Sequence, residues 1–355
     1  MTGTATFPRA TNGHSAYMGL TVAVTGPTGE IGLSAVSALE RDPQVDRIIG
    51  MARRPFDPAA QGWTKTTYRR GDISDRAAVD ALVGDADVVI HLAFVIMGTR
   101  KESAAVNLAG ARNVFEASVH APRVRRLVYT SSVVAYGYHR GNPTPLTEEM
   151  PVPGSPEHYY SRQKSECETA LDQITGGTAL EVFVLRPSIV AGPKAPALAE
   201  LPWSKLPSMA RTVSRSVPAL KPVVPDPGHP LQLVHHDDVA VAITLAAVAS
   251  APPGAYNIAG DGVVTISQIV SALGGRPVRV PAAAATMVSR AIAQLPFVPP
   301  VLEWLHLART SVVMDTTKAK RRLGWHPFHT SRQTLDALAA SHTAPHEPTR
   351  AEEFD

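Results

Sequence analysis

The stretch LTVAVTGPTGEIG, residues 20–32, decides the fold. Its first half, Leu20 to Thr25, is a short β-branched run that ends in glycine, the signature of a buried parallel strand. Residues 32–40 follow helical spacing, with Leu33, Val36 and Leu39 on one face. Between strand and helix stand Gly26, Gly29 and Gly32 at intervals of three. In such a loop Gly26 permits the tight turn, Gly29 lets backbone approach a pyrophosphate, and Gly32 allows close helix–strand packing. Thr28, Glu30 and Ile31 line the same loop, and the free N–H groups of the helix start face the phosphates. The flanking strand and helix distinguish this loop from an ordinary turn and point to a dinucleotide.

Outward from that loop the chain alternates between strands and helices. Strand character recurs at 47–51, 87–92, 126–131 and 180–185, and helical spacing at 104–118 and 159–174. Right-handed crossovers of this length build an α/β, doubly wound parallel sheet of Rossmann type. After Arg186 the texture changes: residues 191–230 are crowded with proline, and strand character returns at 231–234. Residues 281–305 are helical in pattern but broken by Pro296, Pro299 and Pro300. The predicted organisation is a tail over 1–19, a dinucleotide-binding domain over 20–190 rejoined by 231–260, and a tail over 341–355. A smaller C-terminal substrate-binding lobe takes 191–230 and 261–340.

Composition narrows the classes. The 355 residues are 44% hydrophobic and 18% charged, with a formal net charge of only +3. Basic residues are dispersed, which argues against nucleic acid as a partner. No uninterrupted apolar run reaches a membrane-spanning length and no basic, apolar-cored leader opens the chain, so no membrane partner is expected and the cytoplasm is the expected compartment. The single cysteine, Cys167, excludes an intrachain disulfide and a multi-cysteine metal site, and reads as a small core hydrophobe. No metal is expected, since His235 and Asp238 have no evident third ligand nearby.

The acid that commonly binds the ribose belongs about 20 residues beyond the glycine loop, at the end of the second strand. Here that position reads Gly50-Met51-Ala52-Arg53-Arg54, without a carboxylate. Two arginines suit a 2′-phosphate, so NADP is expected in preference to NAD.

Further motifs follow in fixed order. They are GDI at 71–73, HLA at 91–93, NLAGARNV at 107–114, YTSSVVAYG at 129–137, YSRQK at 160–164, LRP at 185–187, HHDDVA at 235–240, and LGW with Pro327 after 323–325. Together they resemble the extended short-chain dehydrogenase/reductase superfamily, the NAD-dependent epimerase/dehydratase family, over about residues 20–330. Leu108 and Ala111 depart from the family's valine and threonine. The resemblance implies that Asp72 and Ile73 contact adenine and that Leu92 and Ala93 line the cofactor. It adds Asn107, Thr130 and Ser131 to the cofactor site, with Pro187 and Ile189 beside the nicotinamide, and it implies a homodimer.

Tyr160 and Lys164 are four residues apart on a helix and therefore share a face. A free phenol has a pKa of about 10, too high for a base at neutral pH. A neighbouring ammonium favours the phenolate, so Lys164 is expected to lower the Tyr160 pKa and bring it into range for acid–base work. By resemblance, Ser132 supplies the hydroxyl that binds the substrate oxygen, and Tyr160 and Lys164 also touch the cofactor. The expected activity is hydride transfer between NAD(P) and the carbonyl or secondary alcohol of a small metabolite. A nucleotide-sugar epimerase or dehydratase with tightly bound NAD is the alternative, and a non-catalytic dinucleotide-binding scaffold or sensor is a second. Nucleotide-sugar relatives often carry an arginine just before the HVDD-like histidine, whereas this chain reads HPLQLV at 229–234. Lys194, Lys205, Arg211, Arg215 and Lys221 leave room for an anionic substrate, and Met287, Phe297, Trp304 and Leu305 for an apolar pocket or plain lobe core.

Overall fold

The computed structural model describes residues 19–95, 100–139, 141–198, 223–281 and 310–343. The expected tails, most of the proline-rich insert and the helix pattern at 281–305 lie largely outside these residues. So do Lys205, Arg211, Arg215, Lys221, Met287, Phe297, Trp304 and Leu305.

The N-terminal part runs β1 (Leu20–Thr25), α1 (Glu30–Arg41), β2 (Val45–Ala52), β3 (Thr66–Arg70), α2 (Arg76–Val83), β4 (Val88–His91), α3 (Arg100–His120), β5 (Arg126–Thr130), α4 (Tyr159–Thr175) and β6 (Glu181–Pro187). Then come β7 (Ile189–Ala191), β8 (Val223–Asp226), β9 (Pro230–Leu231), β10 (Leu233–His235), α5 (His236–Val248) and β11 (Gly254–Ile258). The chain continues with β12 (Val264–Thr265), α6 (Ile266–Ala272), β13 (Arg276–Arg279) and α7 (Ser331–Thr343). Seven strands form one parallel sheet in the order β11-β6-β5-β4-β1-β2-β3. The order reverses between β1 and β4, so the ligand crevice of such a sheet opens at their C-terminal ends.

Side chains of each strand alternate between the two faces, and each face has its own core. Val22, Val24, Ile90, Val128 and Phe183 meet α1 and α5 on one side. Ala23, Ile49, Val89, Leu127 and Val184 meet α2, α3 and α4 on the other. Cys167 is buried in that second layer. A third apolar cluster brings Tyr136 and Tyr138 together with Leu231, Leu233, Ile269 and Leu335.

Two details differ from the sequence-based expectation. The strand over 231–234 is two short strands, because Gln232 turns its side-chain carbonyl to the Met314 N–H (2.7 Å) while β9 pairs with β12 and β10 with β7. Ala319, Leu323 and Trp325, assigned from sequence to the lobe, pack into the α1/α5 layer of the sheet domain. The Trp325 indole anchors there by donating to the Asp238 carbonyl at 2.8 Å.

Candidate active site

The three glycines of the loop are required for different reasons. Gly26 has φ +73°, and a β-carbon there would sit 2.8 Å from the Ala93 nitrogen. At Gly32 it would lie 2.2 Å from the Gly26 carbonyl oxygen. Gly29 is exposed, and its β-carbon would meet only the Gly26 oxygen at an ordinary 3.6 Å. Nothing inside the protein demands glycine at 29, so the bare surface there fits a group that comes from outside. Gly29 also caps α1 without any side-chain hydrogen bond, which leaves the helix start to an anion. Gly32→Ala is therefore expected to lower the melting temperature by several degrees and Gly29→Ala to leave it nearly unchanged, as thermal unfolding of the two variants will show.

At the neighbouring edge, β2 ends at Ala52, and Arg53 and Arg54 are exposed. The loop carrying them is pinned through its backbone, since Arg70 Nε donates to the Arg53 carbonyl (3.0 Å) and the Tyr68 hydroxyl donates to that of Arg54. Asp72 is half-buried, with one carboxylate oxygen accepting from the Ser74 N–H (2.9 Å) and hydroxyl (2.8 Å). Ile73 is buried in the core layer, so only its backbone neighbourhood is near the crevice. Leu92 and Ala93 follow β4 directly: the Leu92 N–H donates to the Thr25 carbonyl (3.1 Å) and that of Ala93 to the Thr25 hydroxyl (3.4 Å).

Ser132, Tyr160 and Lys164 come together beyond the end of β5. Ser132 caps a short 3-10 turn (Val133–Tyr136), and His158 caps α4 by accepting the Ser161 N–H at 3.2 Å, which places Tyr160 in the first helical turn. The Ser132 hydroxyl lies beside the Tyr160 phenol, close enough to act on its ionisation, and accepts the Val134 N–H at 3.4 Å. Lys164, 3% exposed, donates to the Thr130 carbonyl at 2.9 Å and, at 3.5 Å, to the Tyr129 hydroxyl. Burial pulls its ammonium down to about 8, against the opposing pull of Cys167 and Glu168. The expected lowering of Tyr160 by Lys164 is not found. Burial raises the phenol, and the Ser132 hydroxyl is the influence acting in the other direction. Tyr160 thus holds its proton at neutral pH.

A buried polar network fixes this trio from behind. Ser131, expected at the cofactor, instead donates its hydroxyl to Glu168 at 2.5 Å. Glu168 is paired with Arg186 at 2.6 Å, and both side chains are buried. Arg186 also donates to the Tyr136 hydroxyl (2.9 Å), which donates to the Asn257 amide oxygen (2.8 Å). Asn107, also expected at the cofactor, donates both amide hydrogens internally, to the Val95 carbonyl and to Gln163 (2.9 Å each), and accepts the Val95 N–H (2.8 Å). Its place is to hold the loop after β4 against α4.

Whether a dinucleotide fits can be judged from the polar atoms that are left over. His91 Nε2, Thr130 Oγ1 and Ser188 Oγ are buried without a hydrogen-bond partner among the described residues. They stand at or just past the C-terminal ends of β4, β5 and β6, three adjacent strands, where the crevice lies. With the open cradle at Gly29 and the uncapped helix start, this donor and acceptor set suits a polar, extended, anionic ligand. Pro187 is buried at the end of β6, and half-buried Ile189 begins β7. His91 itself stays neutral, because burial and the charge of Lys164 lower its pKa to about 3.

Two residues of the site carry no sequence motif. Ser188 has only its position after Pro187 to mark it. Phe94 follows the HLA stretch, where its ring meets Tyr160 edge-on at 5.6 Å and covers the Lys164 ammonium at 3.8 Å. The histidines of β10 and α5 have structural duties. Asp238 accepts the Phe328 and His329 N–H groups at 2.9 and 3.0 Å, and His236 Nδ1 pairs with the Ser34 hydroxyl at 2.8 Å. Ligand atoms of His235, His236 and Asp237 lie within 4.8 Å of one another, Asp237 being the third group that the sequence did not suggest. Among the described residues no helix is long and apolar enough to cross a membrane.

Residues 22–259 match the model of the NAD-dependent epimerase/dehydratase family. Over 326 residues the chain is 27% identical to an uncharacterised protein of Mycobacterium tuberculosis, spanning 89% of this chain and 82% of that one. It is 30% identical over 194 residues to human 3 beta-hydroxysteroid dehydrogenase type 7, covering 48% of this chain and 50% of the human protein. Among solved structures, a short-chain dehydrogenase/reductase superfamily protein from Agrobacterium tumefaciens with bound NAD superposes with a TM-score of 0.66 at 19% identity, over 90% of this chain and 96% of that one.

Proposed function

Since the chain belongs to the NAD-dependent epimerase/dehydratase family, we propose that it is a nicotinamide-dependent oxidoreductase acting on the carbonyl or secondary alcohol of an apolar metabolite. The observation that carries this reading is the convergence of Ser132, Tyr160 and the Lys164 ammonium beyond the end of β5, beside a glycine loop open at Gly29. A bound nicotinamide supplies the hydride donor or acceptor. Ser132 and Tyr160 converge on one substrate oxygen. In the reducing direction Tyr160, kept protonated at rest by its raised pKa, gives that oxygen its proton, while Ser132 orients it. Lys164 keeps a positive charge next to the reacting phenol and near the cofactor. Thr130, Ser188 and the backbone of Leu92 and Ala93 line the cofactor's path.

An apolar substrate is supported by the aromatic faces around Tyr160 and by the absence of an arginine ahead of His235. The likeness to a human steroid dehydrogenase favours a cyclic alcohol or ketone. Arg53 and Arg54, exposed where a carboxylate would otherwise bind the ribose, favour NADP. Replacing both by alanine is expected to weaken NADPH binding about 10- to 100-fold and to leave NADH nearly unchanged, read by fluorescence titration of the two cofactors.

The family description favours a second reading, a nucleotide-sugar epimerase or dehydratase that regenerates its cofactor in each turnover. Purified protein mixed with NADPH and a panel of ketones, steroid ketones included, separates the two. Stoichiometric oxidation of NADPH supports the reductase. Interconversion of a nucleotide sugar without net consumption of cofactor sinks it in favour of the epimerase.

A further inference from the structure

We propose that Phe94 is a positioning residue that holds the Lys164 ammonium before the cofactor arrives and competes with the cofactor for it. This rests on the oxidoreductase reading above, in which Lys164 meets the nicotinamide half of the cofactor.

An ammonium has three N–H bonds to place. Lys164 directs one to the Thr130 carbonyl at 2.9 Å and another, longer, to the Tyr129 hydroxyl at 3.5 Å. The Phe94 ring covers the ammonium 3.8 Å from the ring centroid, well inside the range of a cation–π contact. Those three neighbours account for the coordination of a lysine that is only 3% exposed. A ligand hydroxyl can bond to Lys164 only by displacing one of them. The Thr130 carbonyl belongs to the central sheet and the Tyr129 ring is packed in its core, whereas Phe94 lies on the half-buried loop after β4. Phe94 is the partner that yields.

Its position is also built. The next residue, Val95, is clamped by Asn107 through both its N–H (2.8 Å) and its carbonyl (2.9 Å). Asn107, on α3, is in turn braced on Gln163, and Gln163 on the Tyr159 hydroxyl (2.7 Å), the last two lying within one turn of Lys164 and Tyr160 on α4. The ring meets Tyr160 edge-on at 5.6 Å, so the same side chain abuts both polar groups of the trio that α4 provides. A buried cation with no carboxylate in salt-bridge contact among the described residues is costly, and an aromatic face offsets part of that cost until a polar ligand takes its place. The ring therefore keeps the ammonium in register, and cofactor affinity carries the cost of moving the ring aside.

The test is a double-mutant cycle on cofactor binding, which needs no substrate. NADPH and NADH are titrated by fluorescence against the full-length wild type, Phe94→Leu, Lys164→Met and the double variant, with thermal melts to establish that each is folded. Phe94→Leu is expected to tighten binding about 2- to 30-fold, the range of a released cation–π contact. In the Lys164→Met background the same substitution is expected to change binding by less than about twofold, because the competition has been removed. Phe94→Met, which keeps bulk but not the ring, is expected to act in the same direction and stands in if the leucine variant does not fold. Unchanged or weakened binding in Phe94→Leu overturns the proposal, as does a tightening that persists without Lys164. A wild type that binds neither cofactor overturns the functional reading itself, and this inference with it.

Discussion

Tyr160→Phe is expected to lower turnover by about 100- to 10,000-fold on any carbonyl the wild type reduces, while cofactor binding stays within a few-fold. The substitution removes one oxygen and little else. The ring keeps its edge-on contact with Phe94 at 5.6 Å and its longer one with His158 at 6.5 Å, so the helix start should not move. What disappears is the proton donor and the phenol oxygen beside Ser132. Burial holds the phenol in its protonated form, so loss of the hydroxyl deprives the carbonyl oxygen of its acid rather than of a base. Steady-state rates and cofactor titrations on the same preparation separate the two effects. Turnover close to wild type would remove Tyr160 from the chemistry.

Arg186→Met is expected to cost about 3–5 kcal/mol of stability, because it leaves the Glu168 carboxylate buried without its cation. The side chains are 7% and 5% exposed, and Glu168 takes three hydrogen bonds from Arg186 at 2.6–3.2 Å as well as that of Ser131. Screening by solvent is slight at that depth, which distinguishes this pair from Arg76–Asp80 on the surface. Adding Glu168→Leu should recover much of the loss, since the stranded charge is then gone. Urea unfolding of both variants measures this. The damage is expected to reach the site too, because Arg186 also supports Tyr136 in the turn that Ser132 caps.

Much of this architecture could be read in the sequence, for reasons that belong to particular residues. β1 and the glycine loop were visible because β-branched residues and glycines at fixed intervals have few other uses. α4 was visible because Tyr160 and Lys164 lie on a helix with a polar face. α5 was not: its buried positions include Val239, Ala240, Ala242, Ile243, Ala246 and Ala247, and a helix apolar nearly all round has no stripe to detect. β11 escaped as well, since GAYNI alternates poorly and acquires its strand character by pairing with β6.

In the site, the positions of Ser132, Tyr160 and Lys164 followed from their motifs, but their electrostatics did not. A one-dimensional reading places an ammonium four residues from a phenol, which implies a lowered pKa. Burial is a three-dimensional quantity, and here it decides the direction at both groups. Ser131 and Asn107 show the same limit. Their motif suggested ligand contacts, whereas Glu168, Val95 and Gln163 use their hydrogen bonds. Phe94 has no motif, and its contacts with Tyr160 and Lys164 appear only once the chain is folded.

Residues 26–32 are the floor of the proposed dinucleotide site, and equilibrium titration of NADPH and NADH into the wild type and Gly29→Val puts that to the test. Saturable binding of one dinucleotide per chain is expected for the wild type, with its loss in Gly29→Val at a melting temperature close to wild type. Binding that survives Gly29→Val, or a wild type that binds neither cofactor, would contradict it.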